Sequence, residues 1–328
     1  MNIIRRCRQL SSFKRLSGAK LERREAGRWY TERDLFKIRP FYHWGFLARI
    51  YDHTILEPFA GANHIIRHLI KSGQIRDFES YDINPQDRMV GKRDTLLDFP
   101  KGHEVCITNP PWLRRQTATL QGMGRRLGYE DLYEECLYHI FKNCAWAAVV
   151  LPAGFLNTFR NQNRMTDYVL IEEASFVGTR RPFCLALFRP TPVQDTRLWI
   201  GNRYVGSLNA FKSYIPRVYD KRIKFGTKGK IGMIGYDSRT DKRIRFVPGD
   251  EIRDVVTKSR RYVVLIDGTD VSPERANRYL EEFREKTHDL MLTPFRAGLM
   301  SNGKYARQLS WTLARGILTA CKQSPLFP

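Results

Sequence analysis

The sequence has no CxxC pair and no cysteine cluster: Cys7, Cys106, Cys136, Cys144, Cys184 and Cys321 are scattered along 328 residues. That scatter excludes a disulfide scaffold and a zinc site, and it fits free thiols in a reducing cytoplasm. No apolar run approaches the ~20 residues a membrane-spanning helix needs. No signal-peptide pattern stands at the start, and there is no internal repeat or low-complexity tract. Acid is scarce: 34 Asp and Glu face 56 Lys and Arg, a formal charge of +22. An excess that large points to a polyanionic partner, of which nucleic acid is the commonest; a solvated basic surface is the alternative. The 42% apolar content supports a sizeable core, and the length allows about two domains.

The most informative stretch is Val105-Cys106-Ile107-Thr108-Asn109-Pro110-Pro111-Trp112. An apolar run reads as a buried strand. It ends at two prolines, which lack backbone donors and fix φ, so neither helix nor ladder continues. The corner holds the Asn109 amide, the Pro110 carbonyl and the Trp112 ring at a strand end, where open α/β sheets bind ligands. A plain structural turn is the competing reading.

Upstream, residues 1–24 carry eight Lys or Arg against Glu22 alone. They form either an arm along phosphates or a frayed terminus. A helix is expected from Glu32 to about Arg49, with Thr31 placed to cap it. Thr54 to Asn63 reads as strand and tight turn, followed by a helix over Ile65–Ile70. Small residues at 60–62 let a ligand approach the backbone, the helix N-terminus faces a carboxylate, and Glu57 meets a cationic amino group. A second strand ends at Asp82, about 20 residues past the glycine turn. There a Rossmann-like sheet presents an acid to ribose hydroxyls, and Ile83 would lie against an adenine ring; an Asx-turn at a strand end is the alternative for Asp82.

Past the corner, Arg114 and Arg115 open a basic, glycine-bearing loop, read as phosphate-contacting or as ordinary surface. A helix over Asp131–Asn143 and a buried strand over Ala145–Leu151 follow. Ala174–Val177 and Cys184–Phe188 are expected to form an antiparallel pair. Pro190-Thr191-Pro192 breaks the pattern, dividing the chain into a basic arm (1–26), a catalytic domain (27–192) and a basic recognition domain (193–328). The last carries short strands at Leu198–Ile200, Tyr204–Val205, Ile231–Ile234, Ile244–Val247 and Tyr262–Ile266. Helices are expected over Pro273–Lys286 and Lys304–Lys322. Between Lys221 and Arg245 nine Lys or Arg stand against Asp237 and Asp241, with Phe225 and Tyr236 among them. That mixture suits a nucleic-acid face, or a soluble β-rich surface.

Taken in order from Gly27 to Phe188, these pieces resemble the gamma group of S-adenosylmethionine-dependent N6-adenine DNA methyltransferases. The matching segments are Gly27-Arg28-Trp29-Tyr30-Thr31, Glu57-Pro58 with Gly61, Asp82, and Asn109-Pro110-Pro111-Trp112. Trp112 departs from the commoner Tyr or Phe, and Ala62-Asn63 stands where a second glycine is usual. The resemblance implies an α/β, Rossmann-like class I methyltransferase sheet with flanking helices, followed by a C-terminal β-rich or mixed domain. It implies S-adenosylmethionine as cofactor, with no metal, held by Tyr30, Thr31, Glu57, Pro58, Gly61, Asp82, Ile83, Asp94 and Asn109. Asp94 fits the family's spacing for the adenine-amine acceptor better than Asp98.

It also implies catalysis by Asn109, Pro110 and Trp112 on the N6 of a flipped-out adenine. Trp112 and Phe176 would hold that base, with Phe183 as second candidate for the far wall and Arg114 and Arg115 on phosphates; a plain core position is the alternative for either phenylalanine. DNA is the expected partner, without a membrane, in the cytoplasm of a bacterium or a phage-infected host. RNA adenine methylation, protein glutamine methylation, and a methyltransferase fold kept only to bind nucleic acid remain alternatives.

Overall fold

The computed structural model describes residues 34–113, 129–157, 163–171, 182–238, 243–256, 262–300 and 305–323. The first helix among the described residues, α1, is Arg39–Leu47 and not the longer element expected from Glu32. Pro40 sets its start, because a proline fits the first helical turn, where no intrahelical donor is needed. Thr31, Glu32 and Arg33 lie outside the described residues. One side of α1 carries Phe41 and Trp44 into the core, and the Trp44 indole donates to the Phe188 carbonyl at 2.9 Å.

Strand β1 (Thr54–Glu57) is followed by α2 (His64–Lys71), β2 (Asp77–Asp82), the short β3 (Gly91–Lys92) and β4 (Val105–Thr108). Helix α3 (Leu132–Asn143) leads to β5 (Trp146–Pro152). Strands β6 (Met165–Ile171) and β7 (Phe183–Phe188) pair antiparallel. The expected partner of β7, 174–177, lies outside the described residues; its neighbour here is the earlier run 165–171, fully buried from Asp167 to Ile171. Next come β8 (Arg197–Ile200) and β9 (Arg203–Ser207), which join the same sheet: β8 pairs parallel with β6, and β9 antiparallel with β8. The central sheet therefore runs on past residue 192. Asp167, wholly buried, ties this extension down by accepting from Arg197 at 2.8 and 2.9 Å and from the Trp199 indole at 2.8 Å.

The nine strands lie in the order β3-β2-β1-β4-β5-β7-β6-β8-β9. The first five are parallel and β7 is reversed. This is the mixed, mostly parallel sheet of the class I methyltransferase fold. Strands β4 and β5 are buried on both faces, as a sheet covered by helices requires. Chain order reverses between β1 and β4. In open α/β sheets of this kind ligands bind at the C-terminal strand ends flanking such a reversal.

The rest is mixed α and β. Helix α4 (Leu208–Ser213) precedes β10 (Lys224–Gly226), β11 (Ile231–Ile234), β12 (Arg245–Pro248), α5 (Gly249–Val256), β13 (Val263–Asp267) and α6 (Pro273–Lys286). The four strands make an antiparallel sheet ordered β10-β13-β11-β12. Strands β14 (Thr293–Leu299) and β15 (Tyr305–Gln308) form a pair, and α7 is Trp311–Gln323. The single helix expected over Lys304–Lys322 is thus a strand and a shorter helix. Pairing with β14 claims the first residues, and the Ser310 hydroxyl, accepting from Leu313 N at 3.2 Å, starts α7 afresh.

Candidate active site

Strands β2, β1 and β4 are adjacent and parallel, so Asp82, Glu57 and the Asn109 corner emerge at one edge of the sheet. The turn after β1 is held from several sides. Ala60 N donates to the Tyr81 carbonyl at 2.9 Å, Gly61 N to Asp82 Oδ2 at 2.9 Å, and Gln86 N to the Gly61 carbonyl at 3.0 Å. Gly61 has φ 52°, a conformation glycine adopts at no steric cost. Asn63 has φ 59° and caps α2 in the left-handed region. Asparagine tolerates that region better than other side-chain-bearing residues, which explains how the turn forms without the usual second glycine. The Ser80 hydroxyl donates to Asn63 Oδ1 at 2.9 Å, fixing the asparagine against β2.

Glu57 is almost wholly buried. Its Oε1 accepts from Phe59 N at 3.1 Å and from the Thr108 hydroxyl on β4. Burial pushes its carboxyl up to about 8; the two donors oppose the rise and nearby Asp82 adds to it. Glu57 is therefore mostly a neutral acid at pH 7, and a cation brought beside it would draw off the proton. Asp82 is half-buried and accepts from Gly61 N and, at 2.8 Å, from Asn84 N. Ile83 stands beside it, 55% exposed, an apolar surface open to a flat ring.

Pro58 is buried, and its carbonyl accepts from the Thr95 hydroxyl at 2.9 Å, which draws the Asp94 loop to the same edge. Asp94 Oδ1 accepts from Leu96 N at 3.1 Å and Leu97 N at 3.3 Å, so this carboxylate caps its own turn. Asp98 instead pairs with Arg93 at 2.7 Å.

Asn109 follows Thr108 directly and is half-buried, its Oδ1 shielded from solvent; Pro110 is buried. Trp112 is 5% exposed: its indole donates to the Val150 carbonyl at 3.3 Å, and its ring lies 6.5 Å from that of Phe183, tilted by 37°. Phe183 is buried as well. Tyr30, Thr31, Arg114, Arg115 and Phe176 lie outside the described residues. Thr95 and Thr108 were not among the expected site residues. Each stands beside one that was, and a threonine closing the apolar run of β4 was the visible signal.

No protein-family model matches the sequence, and no curated protein is similar enough to match. Solved structures show distant similarity. One is a protein assigned to the class I S-adenosylmethionine-dependent methyltransferases, from Listeria monocytogenes: 13% identity, TM-score 0.36, covering 51% of this chain and 67% of that one. Another is the methyltransferase subunit of a type I restriction-modification system from Streptococcus thermophilus: 15% identity, TM-score 0.36, covering 73% and 61%. A third is the M protein of the type I restriction enzyme EcoKI: 14% identity, TM-score 0.33, covering 79% and 72%. At these values they are similarities only; the fold rests on the strand order. Among the described residues no helix is long and apolar enough to cross a membrane, and no cluster of His, Cys, Asp or Glu is placed to hold a metal ion.

Proposed function

We propose that the protein transfers a methyl group from S-adenosylmethionine to the exocyclic N6 of adenine in DNA. The observation that carries this reading is the convergence of Glu57, Asp82 and Asn109 on the ends of three adjacent parallel strands, at the point where strand order reverses. The residues fit the cofactor. Glu57 is a buried acid matched to an ammonium group, Asp82 to ribose hydroxyls and Ile83 to an adenine face. The turn at 60–63 leaves room for close approach at the N-terminal end of α2. S-adenosylmethionine, when bound, supplies an electrophilic methyl on a sulfonium.

Asn109 and Pro110 supply the rest of the chemistry. An aromatic amine is a weak nucleophile because its lone pair is shared with the ring. The Asn109 side-chain oxygen and the Pro110 carbonyl accept from its two hydrogens, bias the nitrogen towards a tetrahedral shape and free the lone pair for attack. Positioning and fixed dipoles do this work. A base in a duplex must first leave the stack to reach them. Trp112 and Phe183, expected to hold the base, are both buried, so in this reading they back the corner from behind; Phe176, Arg114 and Arg115 keep the base-wall and phosphate roles the resemblance implies. Residues 1–26, 27–192 and 193–328 act as arm, catalytic unit and recognition unit, with β8 and β9 of the last completing the central sheet.

The test is transfer of labelled methyl to unmethylated DNA, RNA and protein in parallel, followed by mapping of N6-methyladenine. Asn109→Ala is expected to reduce transfer to DNA below detection while cofactor affinity measured by calorimetry changes less than about threefold. Full activity in that variant, or methylation confined to RNA or protein, refutes the proposal.

A further inference from the structure

The C-terminal region has two basic-aromatic stretches, and their surroundings differ. Around Tyr236 the aromatic is packed: its ring lies 5.7 Å from that of Tyr262. The neighbouring Asp237 is buried in an ionic knot with Arg284, at 3.0 Å, and takes backbone donors from Arg243 and Arg307 at 3.0 and 3.2 Å. That stretch holds the sheet together.

Residues 217–230 are arranged for something outside the chain. They carry Arg217, Lys221, Arg222, Lys224, Lys228 and Lys230 against a single acid, Asp220. Asp220 is already neutralised: the Arg222 guanidinium donates to it twice and the Arg222 backbone N–H once, all at 3.0 Å, and Lys322 donates at 3.3 Å. The other five cations are all exposed, and none is ion-paired with a carboxylate among the described residues. Their segment includes β10, an open sheet edge paired on one side only, with β13. Beside it Trp311, at the start of α7, stacks on Phe225: ring centroids are 5.6 Å apart and the planes 11° from parallel. The Arg315 guanidinium also lies over the Phe225 ring, at 5.3 Å. Trp311 is thereby buttressed on one side while 44% of its surface stays exposed. An exposed indole buttressed against a segment that carries exposed cations suits an unpaired nucleic-acid strand, with phosphates on the cations and a base on the ring.

We infer that β10, its flanking lysines and Trp311 form a sequence-independent track for an unpaired DNA strand, separate from the methyl-transfer corner. This rests on the DNA reading above and adds to it the contact surface and the strand state. Expulsion of a base leaves the local duplex open, and a track of this kind would hold the opened strand.

The test uses the full chain and a labelled oligonucleotide, single-stranded and paired, with affinity measured across a salt series. Lys221→Ala/Lys224→Ala/Lys228→Ala is expected to weaken single-strand binding and flatten the salt dependence by about two in log–log slope, at roughly 0.7 for each phosphate left without its cation. Trp311→Ala is expected to cost about 5- to 150-fold in single-strand affinity, and less on the duplex, while Trp311→Phe keeps most of it. Binding by the triple variant with unchanged affinity and slope overturns the track and leaves the lysines as guards of an open sheet edge; methyl transfer by the wild type would then still stand. Tighter binding to RNA than to DNA of the same sequence overturns it too. Failure of the wild-type chain to bind any DNA overturns both the track and the reading it rests on.

Discussion

Replacing Glu57 with glutamine should change how stability and cofactor affinity respond to pH. The glutamine amide would keep an oxygen for the Phe59 N–H and the Thr108 hydroxyl and lose only the proton equilibrium. In the folded wild type the carboxyl holds its proton up to about 8, whereas in the unfolded chain it lets go near the ordinary 4.5. Between those values the native state binds more protons than the unfolded state, so stability is greatest at the acid end and falls as pH rises. At about 1.4 kcal/mol per tenfold change, the full displacement is worth roughly 5 kcal/mol, of which about 3 falls between pH 5 and 8; water entry would lower both. Denaturant unfolding of wild type and Glu57→Gln at several pH values isolates this group, because it is the only titratable side chain that differs between the two.

The same proton couples to the cofactor. An ammonium group beside Glu57 favours the carboxylate, so binding at pH 7 should release about one proton, and affinity should rise towards pH 8 by up to tenfold per pH unit. Calorimetry in buffers of differing ionisation enthalpy reads the proton directly. Identical stability slopes in the two proteins, together with proton-neutral binding, would refute the assignment of Glu57 as a buried acid facing the amino group.

Two further outcomes test neighbouring parts of the argument. Thr108→Val removes a donor that restrains the Glu57 carboxyl, so the pH at which cofactor affinity levels off should move upward; an unmoved profile would mean that the hydroxyl does not act on that acid. Asp237→Asn unbalances the buried knot with Arg284 and should cost about 3–5 kcal/mol in denaturant unfolding, while the central sheet keeps its circular dichroism.

What could be read from the sequence was whatever a short stretch decides by itself. The β4 run and its corner were legible because two prolines can end a strand in few ways, and α6 was legible because Pro273 fits the first turn of a helix; that the Ser272 hydroxyl caps it is seen in the structure. What depended on a distant partner was not. Tyr305–Gln308 looks helical until β14 is beside it, and β8 and β9 look like a new domain until β6 is found to be their neighbour. Nothing local to Trp112 says that its indole meets the Val150 carbonyl and that its ring turns towards Phe183.

Glu57 shows the same division at the site. Its place at a strand end followed from its neighbours in the chain, and so did an acid's match to an amino group. Its charge did not, because that is set by burial and by a hydroxyl 51 residues away. A surface carboxylate would attract any cation at any time. A buried one that stays neutral until a cation is seated beside it attracts weakly from afar and strongly in contact. If Glu57 behaves in this way, the fold has turned a residue type readable from sequence into a contact-dependent selector for the amino end of the methyl donor.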